Sequence, residues 1–447
     1  MAGLYDAALY RFDQPVPSFW EAVSGGGEAR ALRPLAGDVE TEVAVIGGGY
    51  TGLSAALHLV RDHGLSCAVL EAGHIGWGAS GRNGGIVGLN CTKRTIRGLE
   101  ETYGEAETRA FLNSQVEAVD LVAGLIAEHG IAAEAVGDAE FGVSHDRKGF
   151  EALTQLCDGY GKYGIGATLY TQASFAREFY DAREQHGALK VHCGFAINPL
   201  RLVQGLAHAA AAAGARLFPR SAVLEWRREA GGHMLVTRTG TVRAKRVIVA
   251  VNGFLDEGLH FGLAGRFLPV ISNILVTEPL SPDLRAAHNW RTLCPMWSTR
   301  TLLFYYRMLP DGRFLFGARG DTSGRAEDGA RMRGWMERRL AEVFPHWAGV
   351  KTEHFWRGLI CMTRNRVPAL GLLDGDESVS FAMGYHGNGV NSAVWAGRAL
   401  ARALALGKDG WAAIPAIYRG GAPRFPFPEL RRLYLAGAFL YYRATDR

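Results

Sequence analysis

Residues 43–52 read Val-Ala-Val-Ile-Gly-Gly-Gly-Tyr-Thr-Gly, and this stretch decides the fold. The run Val43-Ala44-Val45-Ile46 is continuously apolar, as a strand covered on both faces should be. Gly47-Gly48-Gly49-Tyr50-Thr51-Gly52 then fits G-x-G-x-x-G. In that pattern the first glycine permits a tight turn, the second lets backbone approach a pyrophosphate, and the third lets helix and strand pack closely. Residues 50–63 carry Leu53, Leu57 and Val60 on one helical stripe, with Gly64 as the stop. The start of this helix offers free N–H groups and a partial positive charge to phosphates. A second strand over 67–70 ends in Glu71, 19 residues after Gly52. A carboxylate there accepts hydrogen bonds from ribose hydroxyls and repels a 2′-phosphate, which disfavours NADP. The same glycine spacing recurs at Gly159-Tyr160-Gly161-Lys162-Tyr163-Gly164. That copy follows a helical stretch and precedes none, so it reads as a flexible loop.

Outward from this unit, 447 residues imply two closely packed domains. The net charge is +5 and only seven of 49 basic residues are lysine. No block of like charge suggests a nucleic-acid partner. Six cysteines, at 67, 91, 157, 193, 294 and 361, show no metal or CxxC spacing. They read as reduced thiols of a cytoplasmic protein with no metal site. No signal region is evident, and no apolar run is expected to reach the ~20 residues of a membrane span. Residues 1–40 read as a polar extension anchored by Trp20. A helix is predicted over 111–129, and another begins at Asn198-Pro199, a cap followed by proline at the first helical position. Strand-like pieces follow at 222–226, 233–237 and 246–251. Residues 303–308 and 313–318 alternate as a hairpin around Pro310-Asp311-Gly312. A final strand, loop and helix run from Val379 through Gly389 to Gly407. The tail 425–447 is aromatic and basic, with Leu433, Tyr434, Phe439, Tyr441, Tyr442, Arg431, Arg432 and Arg443. It is expected to dock on the protein, with a dimer contact or a peripheral membrane contact as alternatives.

Directly after the second strand, residues 76–85 read Gly-Trp-Gly-Ala-Ser-Gly-Arg-Asn-Gly-Gly, a loop suited to backbone passing a second phosphate and a flat ring. With these three segments in place, the chain resembles the D-amino-acid-oxidase superfamily of FAD-dependent oxidoreductases. It is most similar there to the γ-glutamylputrescine oxidoreductase-like branch. Asn198-Pro199 with Gly214-Ala215, Val247–Gly253, Trp356–Gly371 and Gly384–Ala401 match further family segments in order. The resemblance implies a Rossmann-type α/β FAD-binding domain interleaved with an α+β substrate domain built on an antiparallel sheet. The FAD-binding parts are expected at 41–90, 191–255 and 351–410, the substrate parts at 91–190 and 256–350, and a tail at 411–447. The implied cofactor residues are Gly47, Gly49, Tyr50, Thr51, Gly52, Glu71 and Ala72, then Ala79, Ser80, Arg82, Asn83, Gly84 and Gly85. Val223 would meet the adenine, Asn252 and Gly253 would close over the cofactor, and Gly387, Asn388, Gly389 and Val390 would face the flavin pyrimidine edge. His386 would sit near the ring.

Three departures bear on chemistry. Relatives that oxidise simple amino acids carry an arginine in G-L-R-P, and here Gly358-Leu359-Ile360-Cys361 places Ile360 there. This favours a larger amine, or a carboxylate held elsewhere. The position used for covalent flavin in other relatives is Gly358, so FAD is expected to be non-covalent. No lysine occurs between Lys245 and Lys351, which leaves the electron acceptor open between O2 and a quinone. Substrate-side candidates are Tyr305 and Arg307, with Tyr306 on the opposite strand face, then Arg319, Trp297 and Trp356. The expected reaction is hydride transfer from an amine-bearing carbon to flavin N5, giving an imine that hydrolyses. Oxidation of a 2-hydroxy acid or alcohol, and flavin binding without turnover, are the alternatives.

Overall fold

The protein is described by a computed structural model covering residues 4–24, 31–89, 91–419 and 421–445. Residues 1–3, 25–30, 90, 420 and 446–447, and the Arg443 and Thr445 side chains, lie outside that description.

The opening apolar run becomes the strand Val39–Ile46, central in the first sheet. It pairs in parallel with Cys67–Leu70 on one side and Thr241–Val249 on the other. Arg216–Phe218 and Asp376–Met383 extend the parallel order outward. Ala369–Leu373 closes one edge antiparallel, and Glu225–Glu229 with Gly232–Val236 form an antiparallel flap on Thr241–Val249. Tyr50–His63 and Val390–Leu406 cover one face and approach so closely that a Cβ on Gly397 would lie 2.3 Å from Thr51 O. The helix Pro199–Ala212 starts as expected, with Asn198 Oδ1 accepting from Arg201 N at 3.2 Å.

The second sheet runs Thr352–Thr363, Phe267–Pro279, Arg313–Arg319, Phe304–Met308, Met296–Ser298, Glu140–Val143, Ala188–Val191, Ala167–Tyr170. Its pairings are antiparallel except for Met296–Ser298 on Glu140–Val143. Strand alternation sends Tyr306, Phe314 and Phe316 into an aromatic core with Tyr180, Trp290, Phe344 and Trp347. The other face looks toward the first sheet. Thr352–Thr363, expected in the cofactor unit, instead pairs along its length with Phe267–Pro279. It therefore carries the chain from one sheet to the other.

Several local expectations are corrected by packing. The N-terminal segment is not merely polar: Tyr5, Leu9, Val16, Phe19 and Trp20 are buried, and Trp20 Nε1 donates to Asn83 O at 2.9 Å. Gly159 and Gly161 lie within the helix Arg147–Lys162, because a buried Tyr160 and Leu153 anchor that face. Glu105–Glu128 is long and apolar enough to cross a membrane by length and composition. Its Phe111, Val119, Val122 and Leu125 are nevertheless core residues, and Glu117 pairs with Arg398 and the Trp395 indole. The tail forms the helix Arg431–Thr445, docked through Leu435 and Phe439 on Val270, as the intramolecular reading expects.

Candidate functional site

One cavity of about 1460 Å³ runs from the turn at Gly47 to the tail helix. A single ligand pocket typically holds ~300–1000 Å³, so this space accommodates a dinucleotide and a second molecule.

At its first end the sequence signal is realised atom by atom. Gly47 adopts φ +111°, and a Cβ on Gly52 would stand 1.9 Å from Gly47 O, so this turn admits no side chain at Gly52. Gly47, Gly49, Tyr50 and Thr51 line the cavity, while Gly52 packs beneath them. Glu71 Oε2 accepts from Gly48 N at 2.7 Å and Oε1 from Gly73 N at 2.8 Å. Burial pushes the Glu71 carboxyl up, and these two N–H donors oppose that shift. Ala72 and Val223 form the wall beside it.

The glycine loop after Glu71 is held by its own polar side chains. Ser80 Oγ accepts from Tyr50 N at 2.9 Å, and Asn83 Nδ2 donates to Ala79 O and Ser80 O at 3.1 and 2.9 Å. Asn83 Oδ1 accepts from Gly85 N at 2.8 Å. Ala79, Ser80, Arg82, Asn83 and Gly84 face the cavity. Gly85 does not; it turns at φ +69° against Ile197 O and is a packing position. The Arg82 guanidinium stacks 3.9 Å from the Trp77 ring, and its Nε donates to Trp77 O at 2.7 Å. Its Nη2 is buried with no partner among the described residues, and burial lowers its pKa to about 9. This orphaned cationic donor beside a glycine cradle fits a dinucleotide phosphate.

The C-terminal segment closes on the same space. Asn252, at φ +48°, accepts from Gly384 N through Oδ1 at 2.9 Å and lines the cavity. Gly253 packs instead near Ile360 O. Gly387, Asn388, Gly389 and Val390 all face the cavity. The helix Val390–Leu406 starts at Gly389 with no side-chain cap, leaving its N-terminal N–H groups and dipole directed at that end. Asn388 Nδ2 donates to Gly88 O and Leu89 O, tying this loop to the chain beyond the glycine loop. His386 lines the cavity yet is buried. Thr363 Oγ1 donates to Val367 O at 2.6 Å, so His386 Nε2 donates to Thr363 at 3.1 Å. Burial, with Lys93 nearby, lowers the His386 pKa to about 3 and keeps the ring neutral.

On the second sheet, Tyr305 lies across Gly84 and Gly317, with its hydroxyl 2.9 Å from Ser272 Oγ. Trp297, Arg319 and Ile360 share this chamber with Tyr305. Arg307, a candidate on the same strand face, does not reach it. Its Nη2 donates to Ile197 O at 2.5 Å, and its guanidinium sits 5.3 Å from the Trp20 ring centroid. Two residues further along the strand, the core has already closed over that side. Tyr306 bonds the Tyr180 hydroxyl at 2.7 Å, and Trp356 donates to Arg82 O at 2.8 Å; neither lines the cavity.

Sequence reasoning missed three contributors. Lys93 lines the cavity, having followed the glycine loop in the Cys91-Thr92-Lys93 segment. Glu140, at the start of its strand, is buried with Oε1 accepting from Leu89 N at 2.8 Å. Burial pushes its carboxyl up to about 8. The tail helix contributes Tyr434, Leu435, Phe439 and Tyr442 to the outer wall. The only local signal for Lys93 was the scarcity of lysine; for Glu140 it was an acid opening an apolar strand.

A parallel sheet with a glycine turn, a buried acid at the end of its second strand, a second glycine loop and an uncapped helix on one cavity define a flavin-nucleotide oxidoreductase fold. The chain belongs to the DAO family of FAD-dependent oxidoreductases, whose model matches residues 42–403, and FAD is its cofactor. It is 33% identical over 412 residues to "Gamma-glutamylputrescine oxidoreductase" of Escherichia coli (strain K12), covering 92% of this chain and 93% of that one. "Probable oxidoreductase OrdL" of Haemophilus influenzae is 31% identical, over 87% of this chain and 89% of its own. The crystal structure of glycine oxidase from Geobacillus kaustophilus superposes with a TM-score of 0.67 at 20% identity, covering 87% of this chain and all of that one, and so shares its fold.

Proposed function

We propose that the chain oxidises a C–N bond of a small amine or amino-acid derivative, with FAD bound non-covalently. The observation that carries this reading is the chamber beside the Gly387 loop. Tyr305, Trp297 and Ile360 give it apolar and aromatic walls suited to an alkyl chain, with polar groups at a few fixed points. The 33% identity to a protein named for a putrescine derivative supports the same substrate class.

When bound, FAD supplies the two-electron acceptor for the carbon bearing the nitrogen. The chain's own residues do the holding and shaping. Glu71, Arg82 and the helix starting at Tyr50 retain the nucleotide. The uncapped helix start at Val390 favours negative charge at the edge it faces. Neutral His386 supplies a fixed hydrogen bond to Thr363 rather than a titrating charge. The tail helix narrows access of water to the chamber. The substrate enters as the free amine, its ammonium proton left in solvent. Cys361 borders the cavity, but its side chain packs with Phe267 and Met383 and burial pushes its thiol up to about 12, away from the thiolate a covalent link needs, which supports non-covalent flavin. Acid precipitation is expected to leave all the flavin in the supernatant; flavin in the pellet would contradict that.

The test is anaerobic titration of the holoprotein with primary and secondary amines, amino acids and 2-hydroxy acids. Loss of the visible flavin absorbance by amines, with release of ammonia or a smaller amine, supports the proposal. Bleaching by 2-hydroxy acids alone, with no nitrogen released, would replace it with alcohol oxidation. Bleaching by none would leave a flavin-binding protein without turnover.

A further inference from the structure

The tail helix Arg431–Thr445 walls the outer end of the cavity with one face and exposes the opposite one. Leu435, Ala438, Phe439 and Tyr442 line the cavity on the inner side. Helical spacing gathers Leu433, Gly437, Leu440, Tyr441 and Ala444 on the outer side, and all five are exposed. A surface helix ordinarily turns charged residues outward, but residues 433–442 contain none. Leu433 is 67% exposed and Leu440 70%. The patch continues into the turn before the helix. There the Tyr434 hydroxyl donates to Pro426 O at 3.2 Å, and Phe427 is exposed at φ +43°, a costly backbone for a bulky residue. Of the eleven exposed large hydrophobic side chains among the described residues, six fall within 427–441. Concentrated apolar surface of this kind marks a contact with another apolar phase.

The charges around the face indicate what covers it. Arg364, Arg424 and Arg432 are exposed, and none of them forms an ion pair among the described residues. Arg364 Nη1 donates to Arg424 O at 3.3 Å and Arg432 Nε to Thr322 O at 3.2 Å, so carbonyls rather than carboxylates meet these guanidinium groups. Nearby acids are held by other arginines: Glu257 by Arg431, Asp321 by Arg357 and Asp374 by Arg266. Between Phe425 and Tyr442 the sequence has one acid, Glu429. A second copy seated on this face would bring two unneutralised arginine rims together. An anionic bilayer would neutralise the rim and take up the apolar stripe at once. Arginine stems lie along apolar surface while their heads reach lipid phosphates, the arrangement of helices that rest in a membrane interface.

We propose that the outer face of the tail helix, with Phe427 and the arginines beside it, docks on an anionic lipid bilayer. Docking sets the outer end of the cofactor cavity against the membrane surface. This statement is independent of the amine-oxidation reading, since it rests on the outside of the helix.

The experiment sediments the FAD-loaded protein with vesicles of phosphatidylcholine alone and of phosphatidylcholine and phosphatidylglycerol in equal parts. Binding is expected to the mixed vesicles, at least about tenfold tighter than to the neutral ones, and to weaken as salt is raised. The double variant Leu433→Glu with Leu440→Glu should lose about tenfold or more of that binding, while FAD content and melting temperature stay at the wild-type level. Arg424→Gln with Arg432→Gln should lose most of the preference for the anionic vesicles and keep FAD. If the glutamate variant fails to fold, the arginine variant and the comparison of the two lipids still decide. Absence of binding to either vesicle overturns the proposal, as does binding that neither variant reduces. A concentration-dependent dimer in light scattering that the glutamate variant abolishes, with no vesicle binding, would assign the face to a second copy and overturn it too.

Discussion

At Glu71 two backbone N–H groups, from Gly48 and Gly73, offset the cost of burying a carboxylate and leave it facing the cavity. Replacing it with alanine removes the charged acceptor proposed for the ribose and loosens both turns. Hydrogen bonds to charged groups contribute ~1.5–3 kcal/mol, so Glu71→Ala is expected to weaken FAD roughly tenfold to a hundredfold. The ratio of flavin to protein absorbance after gel filtration measures this, and an unchanged ratio would remove Glu71 from the clasp. Glu140 allows a test of sign. Its carboxyl rises from an ordinary 4.5 to about 8 on folding, so the folded state holds a proton that the unfolded chain releases. That contribution to stability is fully present below pH 4.5 and is lost progressively as pH rises to about 8. Glu140→Gln mimics the protonated acid. Its melting temperature should match the wild type near pH 4.5, exceed it increasingly up to pH 8, and keep a constant advantage above. Parallel pH profiles for the two proteins would show that Glu140 is ionised in the fold.

Among the elements, the tail helix Arg431–Thr445 has the most conditional attachment. Leu435 and Phe439 are buried on Val270, while Leu433, Leu440 and Tyr441 stay exposed. Arg431 is the pin: Nη1 and Nη2 donate to the two Glu257 oxygens at 2.6 and 2.8 Å, and Nη1 also reaches Phe267 O at 2.5 Å. Breaking such a pair costs about 3 kcal/mol, the lower end for buried pairs, because Glu257 reaches solvent. Arg431→Ala should therefore raise the rate of limited proteolysis in the tail on the order of a hundredfold without unfolding the two sheets. Unaltered proteolysis would show that the apolar contacts alone hold the helix.

At the scale of the whole molecule, the cofactor space is where the two sheets meet, so FAD is expected to act as part of the core. Ligand that binds only the folded state adds ~2.7 kcal/mol at a hundredfold excess over its dissociation constant. Stripping FAD should lower the melting temperature, and adding FAD back should restore it in a concentration-dependent way. A melting temperature independent of FAD would mean the sheets are held together without it. The strand Thr352–Thr363 explains why the domain limits were only partly legible. Its apolar pattern marks a strand, but nothing local says which sheet it joins; the long partner Phe267–Pro279 decides that.

What the sequence by itself determined was the nucleotide half: the turn at Gly47, the packing at Gly52, the acid at Glu71 and the capped helix at Asn198. These are local matters of backbone conformation, hydrogen-bond satisfaction and short spacing, and such constraints are written into neighbouring residues. Tertiary structure alone decided that Arg307 is sealed against Trp20 while Arg319, twelve places on in the same hairpin, opens into the chamber. It likewise brought Lys93, Glu140 and the tail helix to one cavity. Strand alternation assigns a face, but which part of that face stays open depends on how far the opposite sheet reaches. That is set by contacts between segments hundreds of residues apart, where no spacing rule applies.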